Sequence, residues 1–271
     1  MIEEKWITQV ASYCQKYNIP LEYLADIISE PKVIPMIRGK AFEFSAMLRL
    51  QEVLPVSNWT VDKPVMNAQF GFHDMDVRVR HRASKKIIGI ECKLAGKGSF
   101  RVLKNGDVTI RVKCMRSRTL GENKATQLAA QLGLDSQLLK VHNDQYLPTD
   151  FEVVITTIAN AFYETDEETD FFEWQPSDNA TLFLSTLFST LNQEELQSLA
   201  YNKMYLASAQ SLAVKTGNDV KCARKTCPSP NDCGFIPNYP LIHFAESSIN
   251  PSKPWYDIED AEAFLLQFIT A

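Results

Sequence analysis

The sequence predicts an α/β protein: a mixed central sheet flanked by helices, followed by a C-terminal helical and cysteine-rich appendage. Three observations predict it. Apolar residues recur at three- and four-residue spacing near the start, strand-like alternation begins at Asp74, and helical spacing returns before a buried-type strand. The 271 residues are 45% apolar and 23% charged, an ordinary globular composition. No apolar run approaches the roughly 20 residues a membrane helix needs. The opening MIEEKWITQV carries charges where a secretory signal is apolar. A soluble, cytoplasmic protein without membrane contacts is expected.

Taken in order, the first 30 residues read as helix, with Trp6, Val10, Tyr13, Cys14 and Tyr17 near one side. A second helix runs from about Gly39 to Val53 through Phe42, Ala46 and Leu50, and Pro55 and Pro64 bracket its exit. MDVRVR alternates apolar and basic residues, and KKIIGIECK is a short apolar run; both fit strands. Asn105-Gly106 predicts a two-residue hairpin loop with Lys104 opposite Asp107. Val108, Ile110 and Val112 then share one face, and Thr109, Arg111 and Lys113 the other. Residues 123 to 140 return to helix and FEVVITTIA is a buried strand. ETDEETDFFE reads as a surface connection, 178 to 213 as helical, 217 to 240 as loop, and the chain closes on a helix from about Ile258. The expected division is a core over 1–165 and an appendage over 166–271, with one continuous domain as the alternative.

Net charge is −5, but its distribution is uneven. Residues 78 to 124 hold fourteen of the 28 Lys and Arg and three of the 33 acids, so this block is +11 and the remainder −16. A basic block in an acidic chain is an electrostatic footprint for a polyanion. Arg78, Arg80, Lys97, Arg101, Arg111, Lys113, Arg116 and Arg118 are its candidate nucleic-acid contacts. A solvated basic face would look the same, so the residues inside the block decide.

Inside it, Asp76 is followed after fourteen residues by Glu91-Cys92-Lys93. If 74–80 and 86–93 are neighbouring strands, both acids meet at one end of the sheet, and Glu91 and Lys93 share a face. Paired carboxylates suit Mg²⁺, and a nearby lysine orients water and offsets charge on a phosphate. This arrangement resembles the PD-(D/E)xK nuclease superfamily over roughly residues 38 to 160. The resemblance implies that Asp76 and Glu91 bind Mg²⁺, helped by the Cys92 carbonyl, and that Lys93 serves the nucleophile. It also implies a further acid on the preceding helix, which Glu43 in RGKAFEF matches, and a polar residue on the following helix, where Gln127 stands. The chain departs from the pattern in having no proline before Asp76. Asp74 shares its strand parity and is a rival ligand, although Asp76 opens the alternating run.

Six cysteines do not suggest a disulfide scaffold, and three of them cluster. Cys222, Cys227 and Cys233 are separated by four and five residues, and His243 follows after nine more. Three thiolates and an imidazole satisfy tetrahedral Zn²⁺. A rival reading is a [4Fe–4S] cluster with Cys14 as the early ligand, similar to CRISPR-associated and repair exonucleases of the superfamily. Against it, those have two residues between the first C-terminal pair and a Gln-x-x-x-Tyr pattern, whereas Gln127 here precedes Gln131. His73 and His81 flank the motif strand, and lone His142 gives no signal.

The resemblance is greatest to type II restriction endonucleases, with a restriction-endonuclease-like core. It implies a homodimer that cuts double-stranded DNA sequence-specifically. The alternatives are an iron–sulfur exonuclease and a non-catalytic zinc-containing DNA-binding module.

Overall fold

A computed structural model describes residues 2–64, 75–116, 119–190 and 192–270. Its elements in chain order are α1 (Ile2–Lys16), α2 (Leu24–Ser29), α3 (Ile34–Val53), β1 (Trp59–Asp62), β2 (Val77–His81), β3 (Ile87–Leu94), β4 (Arg101–Val102) and β5 (Val108–Arg111). Then follow α4 (Glu122–Leu132), α5 (Ser136–Val141), β6 (Val153–Thr157), β7 (Tyr163–Thr165), β8 (Phe172–Trp174), α6 (Asp178–Phe188) and α7 (Gln193–Asn202). The last are β9 (Met204–Ser208), α8 (Ala209–Leu212), β10 (Leu241–Phe244), β11 (Tyr256–Asp257) and α9 (Ala261–Thr270).

The fold is α/β around a mixed six-stranded sheet in the order β1-β2-β3-β6-β9-β11. β3 and β6 run parallel and the other neighbours antiparallel. The β-branched run Val153–Thr157 is buried at every position, as a central strand covered on both faces must be. On one face, Phe42, Ala46 and Leu50 of α3 repeat every four residues and pack, with Ala261, Phe264 and Leu265 of α9, over Val77, Val79, Ile88, Ile90 and Ile155. On the other face, Ile110 and Ile242 of the β10-β5-β4 sheet, with Leu184 of α6 and Leu196 of α7, cover Val154, Tyr205 and Ala207. Strands from both sides of residue 165 share the large sheet. Among the described residues, no helix is long and apolar enough to cross a membrane.

Several expectations need correction. The hairpin loop has three residues, because the Leu103 N–H donates to the Asp107 carbonyl (2.8 Å) and Leu103, not Lys104, faces Asp107. The Gly106 N–H closes a turn on the Leu103 carbonyl (3.0 Å), and Gly106 alone of the Asn-Gly pair takes a positive φ, 84°. A turn followed by a left-handed glycine fits the strands as well as the tighter loop does. The helix expected over 123–140 breaks at Gly133 (φ 65°), and Asp135 caps α5 by accepting from the Gln137 N–H (2.8 Å). The acidic connection is the turn of a β7–β8 hairpin. Within 178–213, α6 and α7 give way to β9, which lies between β6 and β11. Among the described side chains of the first helix only Cys14 is buried, whereas Trp6, Tyr13 and Tyr17 are 54%, 57% and 54% exposed.

Candidate active site

β2 and β3 pair with Val77 opposite Ile90, so Asp76 and Glu91 lie one step beyond, at the end of the ladder. The Cys92 N–H donates to Asp76 Oδ2 (2.9 Å) and holds that carboxylate against β3. Glu91 and Lys93 stand two residues apart on one face, with Lys93 Nζ 2.7 Å from Glu91 Oε1. Glu43 reaches the same place from α3. Lys40 Nζ donates to its Oε1 (2.7 Å), Lys63 pairs with its Oε2, and Lys63 Nζ also donates to the Asp76 carbonyl (3.3 Å). The structure thus brings Glu43, Asp76, Glu91 and Lys93 together, with the three carboxylates 7%, 8% and 4% exposed.

Tyr146, which the sequence did not single out, joins them. Its hydroxyl donates to Glu91 Oε1 (2.9 Å) and accepts from Lys93 Nζ (3.1 Å), bridging the two. Burial and then the Glu91 charge push its phenol up, so the hydroxyl stays a neutral donor. Burial, then Glu91, then Glu43 push the Asp76 carboxyl up to about 7, against the Cys92 N–H and Lys93. For Lys93, burial works to lower its pKa, but Glu91 and Tyr146 outweigh it and the ammonium is held above its ordinary value. The result is a buried, acid-rich, proton-holding cluster in which Lys93 is firmly charged beside Glu91, and Lys40 and Lys63 pair with Glu43.

The basic block divides. Arg80, Lys97, Arg101, Arg111 and Lys113 are exposed. Lys97 touches Thr165, and Arg101 Nη1 donates to the Gly98 carbonyl (2.9 Å). Arg78 is committed to Asp62 through two bonds (2.8 and 3.0 Å). Arg116 does not present a free guanidinium as expected. It pairs with Asp150, donates to the Gln145 carbonyl (2.9 Å) and lies over the Tyr146 ring, so it serves the fold. Arg118, Asp74 and His73 lie outside the described residues. His81 Nδ1 meets Ser84 Oγ (2.9 Å), and Gln127 points from α4 into solvent.

The cysteines do converge, but not on His243. That imidazole sits on β10 between Asp107 Oδ2 (2.9 Å) and Ser252 Oγ (3.0 Å). The fourth donor is His142, just past α5. One ligand atom each from His142, Cys222, Cys227 and Cys233 lie within 4.8 Å of one another, a group able to hold a metal ion such as zinc. Cys14 is buried on α1 and is not among them. No spacing rule reaches His142, since seventy-nine residues separate it from Cys222. Its partner Gln145 three positions on is the one local hint.

No protein-family model matches the chain, nor does any curated protein sequence or solved structure.

Proposed function

We propose that this protein is a Mg²⁺-dependent nuclease that hydrolyses phosphodiester bonds of double-stranded DNA, on the PD-(D/E)xK plan and as a type II restriction endonuclease does. The observation that carries this reading is the convergence of three buried carboxylates, Glu43, Asp76 and Glu91, beside Lys93. Buried like charges are unfavourable unless a cation balances them, and an all-oxygen donor set suits a hard divalent ion. Asp76 and Glu91 are the residues that would hold Mg²⁺, which when bound polarises a phosphate oxygen and acidifies water.

The chain's own groups supply the rest. Lys93, kept cationic by Glu91, orients the attacking water and offsets charge gathering on the phosphate. Tyr146 locks the Glu91–Lys93 geometry, and Glu43 is poised by Lys40 and Lys63 at the edge of the cluster. Exposed Arg80, Lys97, Arg101, Arg111 and Lys113 draw the duplex in by its phosphates. A homodimer meets a two-fold DNA site. The soft donors around His142 fit zinc in a structural role outside the chemistry.

Plasmid DNA with Mg²⁺ or with chelator tests the reading. Discrete fragments that need Mg²⁺ are expected. A smear means exonuclease action, and salt-sensitive binding without cutting means a DNA-binding module. Glu91→Ala and Lys93→Ala should each slow cleavage by about 10²–10³-fold while DNA binding persists. Cutting by both variants at the parent rate overturns the assignment.

A further inference from the structure

Residues 213–240 form no helix or strand, yet they hold three of the four donors of the His142 group. A loop of this length needs something to fold around. Its apolar support comes from its two ends: Val214, Cys233 and Phe235 pack on Ala125, Ala129, Leu139 and Leu147, Ala213 and Ile236 join the core against the sheet, and no residue from 215 to 232 is buried.

The donors are set as a metal's ligands are. His142 is fully buried and stacks on Phe235, with ring centroids 4.5 Å apart and planes 13° from parallel. Its Nδ1 faces Gln145 Oε1, an acceptor, so Nδ1 carries the proton and the Nε2 lone pair turns to the sulfurs, 3.3 Å from Cys227 Sγ. The Arg224 N–H donates to Cys222 Sγ (3.4 Å). Tetrahedral zinc spaces its S and N donors about 3.5–3.8 Å apart, which follows from bonds of about 2.3 and 2.0 Å. A set already within 4.8 Å closes on one ion with small shifts, whereas a four-iron cubane holds its ligands much farther apart.

The same loop grips the segment that carries Tyr146. Asp144 pairs with Arg224 and accepts from Asn238 Nδ2 (2.8 Å), and the Ile236 N–H donates to the Tyr146 carbonyl (2.9 Å). From the other side the Arg116 N–H donates to the Asp144 carbonyl (2.9 Å). Residues 142 to 146 are thus clamped at one end by the donor cluster, and at the other Tyr146 bridges Glu91 and Lys93.

We propose that Nε2 of His142 and the thiolates of Cys222, Cys227 and Cys233 hold one structural Zn²⁺, and that this ion positions Tyr146 on the Glu91–Lys93 pair. The zinc half stands without any assumption about catalysis. The positioning half rests on the hydrolase reading only where cleavage is the readout.

The full chain, purified from zinc-supplemented cells, should carry one zinc per chain by elemental analysis. Exchange for cobalt should give the visible and thiolate charge-transfer bands of a tetrahedral sulfur-rich site. Cys227→Ala should lose the metal and Cys227→His, which keeps four donors, should retain it. A parent without stoichiometric metal, or a Cys227→Ala variant that keeps it, overturns the zinc half. For positioning, metal-free protein should exchange the Ile236 amide at least ten-fold faster, with β6 amides unchanged, whether or not the chain cuts DNA. Tyr146→Phe should keep its zinc and its cooperative melt but lose at least ten-fold in turnover at saturating DNA. Zinc removal should cost the parent the same factor and Tyr146→Phe nothing further. An unchanged Ile236 amide, or additive losses, overturns the positioning half. Absence of cleavage by the zinc-loaded parent counts against the hydrolase reading, and the amide readout still decides the tie.

Discussion

Asp76→Asn in metal-free buffer should make the protein more stable at pH 8 than the parent, although it removes a residue of the candidate active site. The Asp76 carboxyl moves from 3.8 to about 7 on folding, through burial first and the charges of Glu91 and Glu43 next. A carboxyl whose folded pKa is raised binds a proton that the unfolded chain releases. Its favourable contribution is therefore complete in acid and is lost as pH climbs from about 4 through about 7. Between pH 5 and pH 8 the parent should lose roughly 2–3 kcal/mol relative to the Asn variant, at about 1.36 kcal/mol per pKa unit. That corresponds to a relative fall in melting temperature of roughly 5–10 °C for a chain of this size. Asn keeps an acceptor for the Cys92 N–H, so shape and that hydrogen bond survive. Melts followed by circular dichroism at pH 5 to 8 in chelator measure the difference, and shared titrations cancel in it. Adding Mg²⁺ at pH 8 to a hundred times its dissociation constant should restore about 2.7 kcal/mol to the parent and much less to the variant. Parallel melting curves across the pH range would refute the view that burial, reinforced by Glu91 and Glu43, raises the Asp76 carboxyl.

Arg111→Glu with Lys113→Glu, both exposed, should lower the salt dependence of DNA binding by about two in the log–log slope, with the melt unchanged; filter binding at several salt concentrations reads it. Gly106→Ala should cost about 1–2 kcal/mol in a denaturant melt, because φ is 84° and a Cβ there meets the Glu246 carboxylate at 2.8 Å. His243→Ala should leave the metal content of the protein intact and lower stability by only about 0.5–1.5 kcal/mol, the value of its bonds to Asp107 and Ser252. Elemental analysis of that variant separates the His142 site from the one the linear spacing suggested.

What was legible in the sequence is what local pattern encodes. α3 shows its four-residue apolar repeat, β3 and β6 their short β-branched runs, and the hairpin its Asn-Gly. The Glu91–Lys93 pair follows from strand parity alone. β9 was hidden because Met204–Ser208 is buried at four of five positions, and a strand covered on both faces has no alternation to betray it. The N-terminal aromatics mislead in the opposite sense: their spacing is helical, and the helix is there, but its face is exposed. Metal donors obey neither period. Cys222, Cys227 and Cys233 are visible because they are close in sequence, and His243 is merely the next histidine along the chain. The actual fourth donor is set by where α5 ends in space.

Tyr146 carries no local signature, and its position is a consequence of topology. β3 and β6 are parallel neighbours, so the chain leaving β3 at Leu94 must travel back to the start of β6 at Val153. That crossover carries β4, β5, α4 and α5 and re-enters the sheet through residues 142–152. Ligand sites in sheets of this kind form where such connections leave the carboxyl ends of strands. Glu91 and Lys93 lie in the C-terminal half of β3, so the returning segment closes on them from the open face. Its register along β3 decides which side chain arrives. His142 in the donor group, Asp144 through Arg224 and Arg116 through Asp150 anchor that register at a distance from the Asp76–Glu91 pair. A one-residue slip of this segment would take the Tyr146 hydroxyl away from Glu91 and Lys93. The geometry of the carboxylate–lysine cluster is therefore written in two places: locally in strand parity, and remotely in the loop that gathers the cysteines.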